Sequence, residues 1–229
     1  TTYTLMISYF TNGKGKLEHC EDSFTASVFD LLKYLPTELF WCILKDSLIL
    51  DNLPVHCGEI QEMEYWAKWS AENTSNQNFI EPDLFLRFQE FDVIIEAKRY
   101  DYNQQSDLQL ENELKSYFNV YAEDNKKVFI MQLGGLHLDC TKESHSILGV
   151  NILQSKTTWS KLLDSIDSKK KRLEKQVLPN QKPMLFIFED LINAFAIHGF
   201  HKKKWLDKMQ PITINKIDFT NFLKHKNVK

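Results

Sequence analysis

No stretch of eighteen or more apolar residues occurs in the chain, so no membrane-spanning helix is expected. The N-terminus lacks a basic stretch running into an apolar segment, so no secretory signal is expected either, and a cytoplasmic location is the default. Cysteine is scarce: Cys20, Cys42, Cys57 and Cys140 include no C-x-x-C pair. In a chain of 229 residues their wide spacing argues against a disulfide framework and against a zinc knuckle. His19-Cys20, His56-Cys57 and the loose group His137, Cys140 and His145 have the irregular spacing of core or surface residues, not of zinc ligands. There is no internal repeat, low-complexity linker, recognisable RNA-binding motif or helix-turn-helix.

What is present is enough apolar material for a sizeable core, 43% of the residues. The net charge of −3 hides an imbalance. Residues 168–229 hold 14 Lys and Arg against 5 Asp and Glu, a balance of +9, which leaves −12 for residues 1–167. Basic runs at Lys169, Lys170, Lys171 and Arg172 and at Lys202, Lys203 and Lys204 could meet a phosphate backbone, although such runs are as often a solvated helix face.

Hydrophobic periodicity organises the chain as an α/β protein. An opening hairpin is expected at Tyr3–Phe10, ending on Asn12-Gly13. Helices follow around Phe24 to Leu35, closed by Pro36, and around Leu39 to Leu44. Ile60, Met63, Trp66 and Ala67 suggest another helix, then residues 72–78 a polar loop. Two strands, 84–88 and 91–95, form a hairpin; a helix carrying Leu110, Leu114, Tyr117 and Tyr121 and a strand at 127–133 follow. Further on, a helix is expected from Trp159 to Gln176, a strand at Met184–Phe188, a helix to about His198, and a last strand and helix near Ile212–Phe222. This order implies a mixed central sheet flanked by helices, with N-terminal hairpin and helices in 1–58, a core in 59–139 and a basic α/β extension in 140–229 packed on that core.

The chemistry concentrates in the hairpin. Pro82-Asp83 opens it and Glu96-Ala97-Lys98 closes it. The strand repeat of two sends Glu96 and Lys98 to one face and Ile95 and Ala97 to the other. Acid-x-lysine triplets also occur at Glu113-Leu114-Lys115, Asp124-Asn125-Lys126 and Asp167-Ser168-Lys169. Only the one at Glu96 ends an apolar β run, follows the chain's single Pro-Asp and precedes a Gln-rich helix. Two carboxylates, a backbone carbonyl such as that of Ala97, and phosphate oxygens make a sensible Mg²⁺ set, with Lys98 placed to orient a water or stabilise charge.

With Pro82-Asp83, Glu96-Ala97-Lys98 and a following helix bearing Gln109-Leu110, Glu113 and Tyr117, the sequence resembles the PD-(D/E)XK nuclease superfamily over roughly residues 59–133. The resemblance implies a restriction-endonuclease-like fold and a Mg²⁺-dependent nuclease, with Mn²⁺ substituting. It casts Asp83 and Glu96 as metal ligands, Lys98 as the catalytic lysine and Gln109 as a supporting residue. It also suggests an acid from the preceding helix, for which Glu59 or Glu62 is the candidate. Ser106 and Gln109 equally match a helix capping box, and the two acids a favourable helix start. Gln105, four residues before Gln109, could share its helical face. Arg99 could meet the scissile backbone.

The leading expectation is an endonuclease acting on DNA, more than RNA, in a defence, restriction, repair or mobile-element system, working as a homodimer or with a partner protein. The alternatives are an RNA-directed nuclease and a non-catalytic nucleic-acid-binding or assembly subunit that keeps the nuclease fold and works through its basic C-terminal third.

Overall fold

The computed structural model describes residues 19–137, 142–175 and 181–202. Two helices come first, α1 (Glu21–Leu32) and α2 (Thr37–Ser47). Strands β1 (Ile60–Tyr65), β2 (Trp69–Ser70), β3 (Phe79–Ile80), β4 (Leu84–Phe88) and β5 (Phe91–Ala97) lead into α3 (Asp107–Tyr121). Then follow β6 (Lys127–Leu133), β7 (Ser144–Ile147), β8 (Val150–Thr157), α4 (Trp159–Lys175) and α5 (Lys182–Ile197). Six strands form one mixed sheet in the order β1-β4-β5-β6-β8-β7, and β2 pairs with β3 apart from it. The β4-β5 pair is antiparallel, and β5, β6 and β8 run parallel. The chain is thus an α/β protein with helices on both faces of a mixed sheet. The opening hairpin and the elements near Ile212–Phe222 lie outside the described residues, as do Cys140, Lys203 and Lys204; Cys20, Cys42 and Cys57 form no disulfide.

Strand alternation explains the layers. Along β5, Phe91, Val93, Ile95 and Ala97 face a core built with α1, α2, α4 and α5, through Phe24, Phe29, Trp41, Trp159, Leu191 and Phe195 among others. Between them Ile94 faces α3, where Leu110, Leu114 and Tyr117 pack with Phe85 and Ile130. Each fully buried apolar side chain of this kind contributes about 1.5–3 kcal/mol. Segments from both ends of the chain cover the first face together, since α1 packs on α5 and α2 on α4, and residues 144–157 supply two strands of the main sheet.

Two expectations are corrected, and one hairpin appears that was not expected. Residues 60–65 are an edge strand, not a helix: a register irregularity between Ile60 and Glu62 brings Ile60 and Met63 onto the same core, which imitates helical spacing. Trp66, at φ 51°, then breaks the strand. The apolar run Met184–Phe188 is the start of α5, because it continues as Phe188, Leu191, Ala194 and Phe195 on one buried stripe. The β7-β8 hairpin was not legible because its buried residues include His145, Gln154, Ser155, Lys156 and Thr157; its turn, Leu148-Gly149, has positive φ at both positions.

Candidate functional site

The antiparallel register pairs Arg87 with Asp92, Phe85 with Ile94 and Leu84 with Ile95. One further step sets Asp83 opposite Glu96, on the sheet face covered by α3. Asp83 Oδ2 accepts a hydrogen bond from the Ala97 N–H at 2.8 Å. Glu96 lies at the C-terminal end of β5, where β5 and β6 run parallel, the edge at which open α/β sheets place ligands. Lys98 follows on the same strand and its ammonium meets Glu96 Oε1. Asp83, Glu96 and Lys98 therefore converge.

Helix α3 closes the site from above. Its residues Gln109, Glu113 and Tyr117 are spaced four apart and share one face. Tyr117 donates to Asp92 Oδ2 at 3.0 Å, and Gln109 Nε2 donates to Glu96 Oε1 at 2.6 Å. Eight helical residues span about 12 Å and four strand residues about 13 Å, so helix and strand keep step over that distance. Ser106 caps α3 without a side-chain hydrogen bond, so Gln109 serves Glu96 and not a capping box. Gln105 precedes the helix instead of sharing its face, and donates to the Glu96 and Gly134 carbonyls, both at 3.1 Å.

Lys98 is fixed by the turn beyond β6. Gly134 and Gly135 have φ of +73° and +64°, and a Cβ on Gly135 would sit 2.7 Å from the Lys98 side chain. On Gly134 it would sit 2.6 Å from the Lys98 carbonyl oxygen. That oxygen accepts from the Trp159 indole at 2.6 Å. Only glycine permits this approach.

Two acids join the site that sequence reasoning did not assign to it. Glu21, the first residue of α1, lies 3.6 Å from the Lys98 ammonium and accepts from the Arg99 N–H at 2.7 Å. Glu113 is buried beside Glu96. Its position four residues after Gln109 was a usable signal; Glu21 had none, being 77 residues away from Lys98.

The electrostatics are unbalanced. Burial raises the Asp83 carboxyl well above the usual range, and the charges of Glu96 and Glu21 push it further. Burial does the same to Glu96, reinforced by Glu113. Glu113 is pushed up to about 7, chiefly by burial, with Asp83 adding to it. Burial alone would lower the Lys98 ammonium, but Glu96 and Glu21 outweigh it and hold it above its ordinary value, so Lys98 is a firm cation. Glu96 Oε2 and Glu113 Oε2 are buried and have no hydrogen-bond donor among the described residues.

Of the remaining expected residues, Ala97 and Arg99 stay beside the site and the others lie elsewhere. Glu59 and Glu62 are exposed, near Thr37 and near Arg87 respectively, and the helix meant to present them is β1. Ala97 gives its N–H to Asp83. The Arg99 guanidinium rests 5.6 Å from the Tyr100 ring centroid. The basic run lies in α4, whose first residue supplies the indole on Lys98; Lys169 is about 15 Å further along the axis. Lys169 pairs with Asp46 at 2.6 Å, Lys170 with Glu174 at 3.0 Å, and Lys171 and Lys202 share Asp167. Arg172 is exposed beside an apolar cavity with Leu39 and Phe188. Each of these four lysines is thus already matched to an acid of the chain.

Fold and site define an α/β protein with a buried acid cluster at the C-terminal edge of its sheet. No family model matches the chain. It is 31% identical over 212 residues to uncharacterized protein PM0110 of Pasteurella multocida (strain Pm70), covering 86% of this chain and 77% of that protein, and it belongs to the same family. No helix among the described residues is long and apolar enough to cross a membrane.

Proposed function

We propose that the chain is a Mg²⁺-dependent nuclease of the PD-(D/E)XK type, hydrolysing phosphodiester bonds of DNA. The observation that carries this reading is the convergence of Asp83, Glu96 and Lys98, with Glu96 Oε2 buried and left without a donor. Four carboxyl groups, Asp83, Glu96, Glu113 and Glu21, surround one ammonium. A divalent cation between Asp83 and Glu96 would relieve that excess, so the donor set fits the ion. Among the described residues no group of three or more His, Cys, Asp or Glu side chains is placed to hold a metal ion. Two carboxylates, with water and phosphate oxygens in the other positions, is the arrangement Mg²⁺ tolerates.

Bound there, the cation would supply an activated water and neutralise charge on the phosphate. The chain's own residues do the rest. Gln109 and Lys98 both engage Glu96 Oε1, which leaves Oε2 for the metal. The Ala97 N–H aims Asp83 in the same way. As a firm cation Lys98 stabilises negative charge developing on the scissile group, in preference to accepting a proton. Cutting both strands of a duplex would take two such sites, hence a homodimer or a partner protein.

The test is a cleavage assay on plasmid, linear duplex, single-stranded DNA and RNA, with and without Mg²⁺ or Mn²⁺, with Glu96→Ala as control. Metal-dependent cutting lost in Glu96→Ala supports the reading; equal cutting by that variant removes it. Tight, salt-sensitive binding without cleavage by any metal would assign the non-catalytic subunit instead.

A further inference from the structure

Gln109 and Glu113, which face Glu96, also line a second feature, a cavity of about 410 Å³ between residues 75–81 and the first turns of α3. Its size falls in the range of about 300–1,000 Å³ typical of small-molecule sites. Whatever fills it lies directly beside the acid cluster.

The lining selects against a phosphate backbone and for a flat, neutral, hydrogen-bonding group. Among the described residues that line it there is no Lys or Arg, and Glu81 and Glu113 are acids. Asn76 and Ser106 offer neutral donors and acceptors, while the Asn112 amide donates to the Ser75 hydroxyl at 2.7 Å. Phe79 and Leu108 line it with apolar side chains that remain 42% and 58% exposed, although both belong to large hydrophobic residues. The Lys68 ammonium sits 5.0 Å from the Phe79 ring centroid, within reach of an anion attached to a ring stacked there. Glu113, 1% exposed, lines the cavity and hydrogen-bonds both Glu96 and Gln109, so it joins the cavity directly to the acid cluster.

We propose that this cavity is a nucleobase subsite, holding one unpaired base of a single-stranded DNA or RNA segment beside the scissile phosphate. The inference rests on the nuclease reading and adds the substrate class to it. The base stacks on Phe79, its edge meets the amides and Glu113, and its phosphate leads towards Lys68 on one side and Asp83 and Glu96 on the other. A paired base in a duplex presents neither its ring face nor its pairing edge to such a pocket.

The test uses the full chain with Ca²⁺ in place of Mg²⁺ and fluorescence anisotropy of labelled single-stranded DNA, single-stranded RNA and a blunt duplex of equal length. Single strands bind more tightly than the duplex. Phe79→Ala weakens single-strand binding by about five- to 150-fold, the range for loss of one stacked base, and Phe79→Trp restores it. The DNA and RNA arms show which sugar the subsite accepts. Single-strand binding unchanged in Phe79→Ala, with circular dichroism confirming a folded protein, overturns the subsite while metal-dependent duplex cleavage leaves the nuclease reading standing. Absence of any nucleic-acid binding or cleavage removes both.

Discussion

At the entry of β5, Asp92 is fully buried yet matched atom by atom: Arg87 reaches both oxygens at 3.4 Å, Tyr117 donates at 3.0 Å, and Lys126 lies 3.7 Å away. Asp124 completes Arg87, so two acids meet two bases. At the exit of the same strand, on the same face and under the same helix, Asp83, Glu96, Glu113 and Glu21 meet a single lysine, and two carboxylate oxygens lack donors. Burying a charge without full compensation is costly. The balanced end needs nothing from outside the chain and serves the fold. The unbalanced end is stable only at a cost, and the proposed cation would offset it.

Substitution at the two ends separates these roles. Asp83→Ala, Glu96→Ala and Lys98→Ala each lower the Mg²⁺-dependent cleavage rate by about 10³-fold or more, measured as kcat/KM on the best substrate of the cleavage assay, while circular dichroism stays native. Asp92→Ala does the reverse: it costs about 1–3 kcal/mol in denaturant unfolding, because the buried Tyr117 hydroxyl loses its acceptor and Arg87 keeps only Asp124, and the folded fraction keeps its activity.

Acidity sharpens the contrast. The Glu113 carboxyl is raised from 4.5 to about 7, so the native state holds a proton there that the unfolded chain releases at lower pH. The associated stability is present below about pH 4.5 and is lost as pH rises through about 7, amounting to at most about 3 kcal/mol in the metal-free protein. Thermal melts between pH 5 and 8 should show this fall, and Glu113→Gln should flatten it. A smaller effect is expected of Gly135→Ala, whose Cβ would press on Lys98: about 1–3 kcal/mol of stability, with a loss of cleavage. Least of all, Lys170→Gln and Lys171→Gln change stability by under about 0.5 kcal/mol, because each chiefly breaks a pair four residues apart on one helix and Lys202 still pairs with Asp167.

The exit of β5 was readable from sequence because its signals are local. A period of two, a short hairpin and a helix repeat of four carry Asp83, Glu96, Lys98 and Gln109 to one place without any knowledge of the rest. What escaped depends on distance or on irregularity. Glu21 reaches Lys98 only because α1 folds back over the sheet. Glu59 and Glu62 were favoured through a helix that the irregularity at Ile60 simulates and the sheet replaces. Strands β6, β8 and β7 hide polar residues in a row, Gln132, Gln154 and His145, that satisfy one another only after the strands align. The pairing of Lys169 with Asp46 is equally tertiary, whereas Lys170 with Glu174 and Lys171 with Asp167 are pairs four residues apart on one helix, so a run of positive charge in sequence says little about a free basic surface.

The central claim is that the acid excess at the exit of β5 exists to hold a divalent cation. Calorimetric titration of Mn²⁺ into the metal-free protein at pH 8 tests it without any substrate. The account predicts saturable binding to the wild type and to Asp92→Asn, and none to Asp83→Asn or Glu96→Gln. Equal binding by those two variants, or no binding by the wild type, would contradict it.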